Sequence, residues 1–182
     1  MKKVTLIHTS FALVEDLNKL FEEILPGVEV MHIVDTSLLE EVLKKGKVTK
    51  NVIKKMLLYF KSAEYSNADC VLNVCSSVRE IVYIAKEIFE TPILNIDEKM
   101  AEEAVLRGKN IGLIATLNTS LDPTFKLLEK KAKEKGKKIN IKTILCSKAF
   151  EELARGNIEK HNEIVLKEIK KLVNSVDVVV LA

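Results

Sequence analysis

The stretch Leu6-Ile7-His8-Thr9 returns 107 residues later as Leu113-Ile114-Ala115-Thr116. Both are short apolar runs ending in small or polar residues, a pattern typical of strands buried on both faces of a parallel sheet. Two further pairs repeat in the same order: Asp69-Cys70-Val71-Leu72 with Asp177-Val178-Val179-Val180, and Glu40-Glu41-Val42 with Glu151-Glu152-Leu153. Three echoes at nearly constant spacing indicate two copies of one structural unit.

Apolar runs alternate with longer amphipathic segments along the whole chain. The runs predict seven strands: Val4–His8, Val28–Val34, Cys70–Val74, Ile93–Ile96, Ile111–Ala115, Ile139–Leu145 and Val176–Leu181. The segments predict helices over Phe11–Ile24, Val48–Ala63, Val78–Phe89, Glu98–Leu106, Pro123–Lys135 and Ile158–Val173. We therefore predict an α/β fold with two pseudo-symmetric lobes, residues 1–97 and 98–182, each a short parallel sheet flanked by helices.

Helix boundaries are predicted from local signals. Ser37 and Ser77 each stand three residues before a glutamate, which indicates capping boxes. Asp122-Pro123 places a capping residue before a proline at the first helical position. The first helix should turn one apolar stripe toward the core: Leu13, Leu17, Leu20, Phe21 and Ile24.

Composition excludes several functional classes. The net charge is only +3, with 29 basic and 26 acidic residues interleaved, so no coherent nucleic-acid surface is expected. No apolar run approaches the ~20 residues of a membrane span, and no signal peptide is evident. Three cysteines without CxxC spacing favour a reducing cytosol. GxGxxG, Walker A, GxSxG and HExxH motifs are absent, which argues against nucleotide binding, a hydrolase serine and a metal site.

Ligands of parallel α/β sheets bind beyond the carboxyl ends of the strands. In this chain those ends are small, hydroxyl-rich and nearly uncharged: His8-Thr9-Ser10, Asp35-Thr36-Ser37, Cys75-Ser76-Ser77, Asn95-Ile96-Asp97, 115–120 and Cys146-Ser147. Two facing lobes would join them into one polar cleft, where we expect the active site.

Cys75 follows a buried strand and precedes a helix. Free N–H groups and the positive end of that helix should lower the pKa of its thiol below the usual ~8.5. The alternative is a plain buried cysteine in a turn. Cys70 is predicted to lie in the core and Cys146 in a turn of the second lobe.

The three histidines lack metal-ligand spacing. His8 is either a polar ligand contact or a turn residue. His32, between apolar neighbours, is predicted to be structural, and His161, on a charged helix, to be exposed.

Several segments together resemble the aspartate/glutamate/hydantoin racemase superfamily. Asn73-Val74-Cys75-Ser76-Ser77 is similar to the strand end that carries the family's first catalytic cysteine. The stretch 111–119 resembles the Gly-hydrophobic-Ala-Thr-x-x-Thr pattern that opens the family's second lobe. Asn95-Ile96-Asp97, 149–157 with His161, and 176–182 extend the likeness over nearly the whole chain.

The resemblance implies a cofactor-independent enzyme that needs no metal. In the family, two cysteines on opposite faces of the substrate remove and return a proton at the carbon next to a carboxylate or amide carbonyl. Cys75 would be one of these bases. The resemblance assigns substrate contacts to His8, Thr9, Ser10, Ser76, Ser77, Asn95, Thr116 and Thr119. The partner is expected to be a small carboxylate or cyclic amide, and related enzymes are commonly homo-oligomers.

One departure leaves alternatives open. The internal echo puts the partner of Cys75 one position past Ala182, and the family's closing helical segment, which returns to the first lobe, is not in the sequence. Racemisation of an amino acid or hydantoin-like compound is the leading hypothesis. The alternatives are a single-cysteine decarboxylase or cis–trans isomerase of the same superfamily, and a non-catalytic protein that binds a small carboxylate.

Overall fold

The computed structural model describes all of residues 1–182, in two compact units, Met1–Ile96 and Asp97–Ala182. The first unit contains β1 (Lys3–His8), α1 (Val14–Ile24), β2 (Glu29–Val34), α2 (Thr36–Lys45), α3 (Lys50–Tyr65), β3 (Cys70–Asn73), a 3₁₀ turn (Ser76–Val78), α4 (Glu80–Lys86) and β4 (Ile93–Asn95). The second contains α5 (Glu98–Arg107), β5 (Asn110–Ala115), α6 (Asn118–Glu134), β6 (Asn140–Leu145), α7 (Ser147–Ala154), α8 (Ile158–Leu172) and β7 (Val178–Leu181). None of these helices has both the length and the apolar character that crossing a membrane requires.

Each unit contains one parallel sheet. The strand order is β2-β1-β3-β4 in the first unit and β6-β5-β7 in the second. In both, the first strand is flanked by the second strand on one side and the third on the other. Every pairing is parallel. The predicted α/β class with parallel sheets flanked by helices is confirmed, and all seven predicted strands are present.

Hydrogen bonds at equivalent positions explain the internal echo. The Asp69 carboxylate accepts a bond from the Lys3 N–H at 2.8 Å, and the Asp177 carboxylate accepts from Asn110 N–H at 2.7 Å. At the opposite end, Val74 N–H donates to Ile7 at 2.9 Å, as Ala182 N–H does to Ile114. The repeated sequence segments therefore occupy the same places in the two sheets.

The core of the first unit forms around α3. Its buried residues recur at helical spacing, so one stripe faces the sheet: Val52, Met56, Phe60 and Ala63. Phe60 meets Phe89 edge to face, with ring centres 6.0 Å apart. Because the chain has few aromatic side chains, aliphatic residues of β1, β3, β4, α2 and α4 fill the rest.

The sheet of the second unit is covered on both faces. Consecutive side chains of a strand point to opposite faces, and Leu113 and Ile114 of β5 belong to two different apolar clusters. Helices α5 and α6 contribute to the first cluster, and α7 and α8 to the second. Gly112 lies where a Cβ atom would come within 2.9 Å of the Leu172 side chain, so α8 packs close to the strand.

The predicted start of α6 was wrong. Helix α6 begins at Asn118, because the N–H groups of Ser120 and Leu121 already bond to the Leu117 carbonyl, and Pro123 lies inside the helix. A proline inside a helix lacks the N–H of the i→i−4 bond and its ring crowds the preceding turn, so Pro123 weakens α6 at this point.

Asp35, rather than Ser37, caps α2: it directly precedes the helix, and its carboxylate accepts the Ser37 N–H at 2.9 Å. On α1 only Leu17 is buried, whereas Leu13, Leu20 and Ile24 are exposed. The amphipathic stripe is present, but Leu17 is its only fully buried member and Phe21 is half-buried.

Candidate functional site

The carboxyl edge of the first sheet collects the end of every strand in that unit. Asp35 N–H donates to His8 at 3.0 Å, Val74 N–H to Ile7 at 2.9 Å, and Ile96 N–H to Asn73 at 3.0 Å. These bonds extend the ladder one residue beyond the strands. The chain segments that carry most of the predicted site residues are therefore held side by side.

Cys75 leaves β3 in an extended conformation and is followed directly by the 3₁₀ turn. Its half-buried side chain packs against the apolar core of the first unit. Four donors interact with the sulfur: the hydroxyls of Thr9 and Ser77, and the backbone N–H groups of Ser77 and Val78. Cys75 and Ser77, which the sequence assigned to one site, thus lie together with Thr9 from the neighbouring strand.

Burial raises the pKa of the Cys75 thiol, and the donors around the sulfur offset only part of that rise. The predicted lowering of this pKa was wrong. It assumed a long helix beginning beside the sulfur, but the 3₁₀ turn has three residues and α4 has seven. In the unliganded protein the sulfur is therefore a thiol at neutral pH, surrounded by groups able to stabilise the thiolate.

Ser77 does not cap α4. The helix begins at Glu80 after Arg79, with no side-chain cap, and Ser77 lies inside the 3₁₀ turn. The local reason is the turn itself, which places the Ser77 hydroxyl near the Cys75 sulfur. Ser76 is half-buried, and its carbonyl accepts the Arg79 N–H at 3.3 Å.

Two buried amides lie beneath the Cys75 turn. The Asn73 side chain donates to the Cys75 carbonyl at 2.9 Å and to Asn95 Oδ1 at 2.8 Å, and its Oδ1 accepts from Cys75 N–H at 3.3 Å. Asn95 donates to the Arg79 carbonyl at 3.4 Å. Asn95, predicted to contact substrate, is only 4% exposed and is bonded to the protein.

His8 is buried at the end of β1 and belongs to a chain of hydrogen bonds. Its Nε2 lies 2.8 Å from His32 Nδ1, and His32 Nε2 lies 2.8 Å from Asn18 Oδ1. Because the Asn18 oxygen only accepts, His32 donates from Nε2 and accepts at Nδ1, so the neutral His8 carries its proton on Nε2. Burial, and then the neighbouring His32, lower the pKa of His8 to about 4. His32 has the structural role predicted for it.

Asp35, at the end of β2, is the centre of a polar cluster. Its carboxylate accepts hydrogen bonds from Tyr59 at 2.6 Å, Lys55 at 3.3 Å and Ser37. Burial alone would raise the pKa of Asp35, but these bonds outweigh it and hold that pKa below its usual value. Burial and the Asp35 carboxylate raise the pKa of Tyr59 to about 12. The cluster is internally paired and braces the start of α2.

The remaining predicted site residues lie as follows. Thr9 is buried and Ser10 half-buried, both just after β1. Thr116 and Thr119 belong to the second unit, where Thr116 follows β5 and donates its N–H to Ala182 at 3.2 Å, and Thr119 lies in the first turn of α6. Their role in substrate binding stays a prediction.

All three cysteines are free. Cys146 is buried in the apolar cluster of α7 and α8, as expected of a structural residue. Cys70, the first residue of β3, is half-buried rather than in the core as predicted. His161 is half-buried on α8 rather than fully exposed. No group of three or more His, Cys, Asp or Glu side chains could hold a metal ion.

Two functional candidates were missed at the sequence level. Asn73 was noted only as part of a motif, although an amide at the end of an apolar strand signals a buried polar contact. Arg79 was not singled out in the sequence, yet it is only 3% exposed. No sequence signal indicated its burial.

Solved structures share this fold. Picrophilus torridus aspartate racemase is 17% identical, covers 98% of this chain and 79% of its own, and superposes with a TM-score of 0.68. Allantoin racemase from Klebsiella pneumoniae is 16% identical, covers 100% and 74%, and gives 0.65. Glutamate racemase from Aquifex pyrophilus is 17% identical, covers 78% and 54%, and gives 0.61. A search of curated proteins by sequence gives no significant match.

The sequence itself provides the family assignment. The family model for Asp/Glu/hydantoin racemases matches residues 4–182, which include both sheets and the Cys75 turn. The match thus spans the strand end that carries Cys75 as well as the second unit. The chain belongs to the Asp/Glu/hydantoin racemase family.

Proposed function

We propose that this chain is a cofactor-independent racemase that moves a proton at a carbon next to a carboxylate or carbonyl, with Cys75 as an acid/base group. Family membership supports a racemase-type isomerase. The observation that carries the specific proposal is the cluster of four hydrogen-bond donors around the Cys75 sulfur at the carboxyl edge of the first sheet.

The proposed step begins when the Cys75 thiolate removes the proton from the substrate's α-carbon. The C–H bond breaks, an S–H bond forms, and the electron pair moves into the adjacent carbonyl or carboxylate. Donors fixed in advance stabilise the charge that develops there. Protonation of the α-carbon from the opposite face inverts its configuration, whereas return of the proton from Cys75 restores the original configuration.

The raised pKa of Cys75 makes the thiolate scarce in the empty protein, so ionisation has to accompany binding. The thiol form is suited to the reverse role of proton donor. The Thr9 and Ser77 hydroxyls and the N–H groups of the turn compensate the negative charge, whether it is on sulfur or on the substrate. A small carboxylate or cyclic amide fits this neutral, donor-rich environment. Ser10 and Ser76, both half-buried, complete the proposed first-unit site, while His8 and Asn95 are buried and bonded to other side chains.

The proposal predicts that Cys75→Ala abolishes turnover while Cys70→Ala preserves it. Removing a general acid/base costs about 10²–10⁴-fold in rate. The measurement is loss of optical rotation or circular dichroism from single enantiomers of aspartate, glutamate, hydantoins and allantoin. Cys70 is a matched control because it lies on the same strand, half-buried, at the amino end away from the turn. Full activity in Cys75→Ala would refute the proposal.

A specific observation supports a second candidate. Within residues 1–182, Cys75 is the one cysteine whose sulfur is surrounded by hydrogen-bond donors, since Cys70 begins its strand and Cys146, although it follows β6, is buried among apolar side chains. That arrangement fits single-thiol chemistry, namely decarboxylation or cis–trans isomerisation. Incubation in heavy water separates the two: a racemase incorporates deuterium with inversion, and single-thiol proton exchange incorporates it with retention. Ligand stabilisation without exchange, surviving Cys75→Ala, would indicate a non-catalytic binding protein.

Three free thiols also support a reducing compartment, and we propose a cytosolic location. We also propose that the protein forms a homo-oligomer.

A further inference from the structure

We propose that Asn73 is a positioning residue for the Cys75 thiol, whose side-chain amide holds both ends of the turn that surrounds the sulfur. The inference rests on the proposed function of Cys75. Asn73 has no role of its own in proton transfer, because its amide is bonded to the protein backbone and to Asn95.

The Asn73 side chain holds the backbone of Cys75 from two sides. Asn73 Oδ1 accepts from Cys75 N–H at 3.3 Å, and Asn73 Nδ2 donates to the Cys75 carbonyl at 2.9 Å. One amide therefore binds both backbone polar groups of the cysteine. The second Nδ2 proton goes to Asn95 Oδ1 at 2.8 Å.

The far end of the turn is held through Asn95. This residue lies directly opposite Asn73 in the β3–β4 register, and its Nδ2 donates to the Arg79 carbonyl at 3.4 Å. The amide pair thus connects the residue before the 3₁₀ turn to the residue after it. Between those points lie Ser77 and Val78, whose N–H groups interact with the sulfur. Because both ends of the turn are held, the two N–H groups between them keep their positions around the sulfur.

The fold itself does not require an amide at position 73. Asn73 pairs with Ile7 on β1, and the equivalent pair in the second unit is Leu181 with Ile114 on β5. The second sheet is built with leucine at this place. Asn73 is 1% exposed, and burying an amide is unfavourable unless it is fully bonded. Its presence in the first unit is explained by the turn it holds.

The test measures alkylation of Cys75 in the full chain. Iodoacetamide is applied over neutral to alkaline pH, and the Cys75 peptide is quantified by mass spectrometry, with the Cys70 peptide as internal reference. In Asn73→Ala the Ser77 and Val78 N–H groups lose their fixed positions around the sulfur, while the apolar residues that pack against Cys75 remain. The pH midpoint for Cys75 should rise by about one unit, which is about a tenfold slower reaction at fixed lower pH.

Asn73→Asp is the isosteric variant. It keeps an acceptor for Cys75 N–H, loses the donor to the Cys75 carbonyl, and adds a negative charge beside the thiol, so the midpoint should rise at least as far. Asn140→Ala is the matched control. Asn140 Nδ2 donates to Asn110 Oδ1 at 3.0 Å, the same kind of cross-strand amide pair with no thiol beside it. The control should leave the Cys75 midpoint unchanged.

An unchanged Cys75 midpoint in folded Asn73→Ala and Asn73→Asp, with only a lower melting temperature, would overturn the proposal. If neither variant folds, Asn95→Ala replaces them. This change removes the hydrogen bond from Asn95 to the Arg79 carbonyl and should raise the Cys75 midpoint by a smaller amount. An unchanged midpoint in Asn95→Ala would then refute the proposal. Alkylation does not depend on turnover, so an active Cys75→Ala would refute the proposed function and leave this result standing. Where turnover is measurable, Asn73→Asp should lower kcat with KM little changed.

Discussion

Burial and hydrogen bonding act in opposite directions on the ionisation of Cys75. The sequence predicted its place at a strand end, because an apolar run followed by Cys-Ser-Ser leaves little choice for where the strand stops. It did not predict the direction of the pKa shift. That direction depends on side chains distant in sequence, such as Thr9, and on the apolar cluster behind the sulfur.

The same limit applies to the histidines. Alternation with apolar neighbours indicated that His32 is structural, but nothing in the sequence related it to His8 or to Asn18 on α1. The hydrogen-bonded chain forms because β1 and β2 are adjacent, with His8 opposite Val34 and His32 opposite Leu6. Register is a tertiary property, so a single sequence conveys it poorly.

His8 should make stability depend on pH. Its pKa is about 4 in the folded protein against an ordinary value of 6.5, so the unfolded chain binds more protons between these values. The contribution of His8 is complete above the unfolded pKa and is lost as pH falls toward 4, by up to about 3 kcal/mol. Urea unfolding at a series of pH values measures the slope.

His8→Gln should flatten that slope, because glutamine does not titrate. His161→Gln is the control for loss of a histidine elsewhere in the chain, because the His161 ring bonds Asn162 and takes no part in the His8–His32 pair. Identical slopes in the wild-type protein and His8→Gln would contradict the assignment of the buried neutral histidine.

Among the elements, strands were easier to predict than helix ends. Most of the seven strands follow from apolar runs, which a parallel sheet covered on both faces needs, whereas the edge strand β6 mixes apolar with polar and charged residues. Helix starts depend on which of several nearby polar groups reaches the free N–H groups. At the start of α2 the Asp35 carboxylate, and not Ser37, accepts the free N–H group. At the start of α6 the Leu117 carbonyl accepts the first bonds, well ahead of Pro123. Helix α7 was not predicted, since eight residues give too little periodicity.

Close packing at the start of β5 gives a test at this scale. A Cβ atom added to Gly108 would lie 2.6 Å from Asp177 Cβ, so Gly108→Ala must push Asp177 away from the backbone N–H groups it binds. Overpacking of this kind costs about 1–3 kcal/mol. Chemical denaturation should show that loss in the free energy of unfolding.

Gly136→Asn is the comparison variant. Gly136 has a φ of +64° and nothing within 4 Å of an added Cβ, and asparagine tolerates the left-handed region. It should cost clearly less than Gly108→Ala. Equal losses would mean that the contact with Asp177 is not what makes Gly108 necessary.

For the whole molecule, the strongest sequence signal was the repeat. Each echo was weak alone, yet their common order and spacing indicated two copies, and the two sheets have the same strand arrangement around β1 and β5. The site was only partly predictable: Cys75, Ser77 and Thr9 come together, while the amides beneath them were assigned no supporting part. Local sequence patterns identified the residues around the sulfur better than the buried amides that hold them in place.

The proposed cofactor independence gives a prediction for the intact protein. Because the proposed chemistry uses a thiol and fixed donors only, exhaustive dialysis against EDTA should leave turnover unchanged within error. Adding Mg²⁺ or Zn²⁺ back should not increase it. A large loss on chelation that a metal ion restores would contradict the proposed mechanism.

The paired hydrogen bonds of Asp69 and Asp177 make each half of the molecule a reference for the other. Both aspartates serve the same purpose, because each binds backbone N–H groups at the start of the first strand of its sheet. The backbone bond at the other end of that strand is also shared, although it joins His8 and Asp35 in one half and Ala115 and Cys146 in the other. The common backbone plan therefore fixes the strand pairing and leaves the side chains at the strand ends free to differ between the halves.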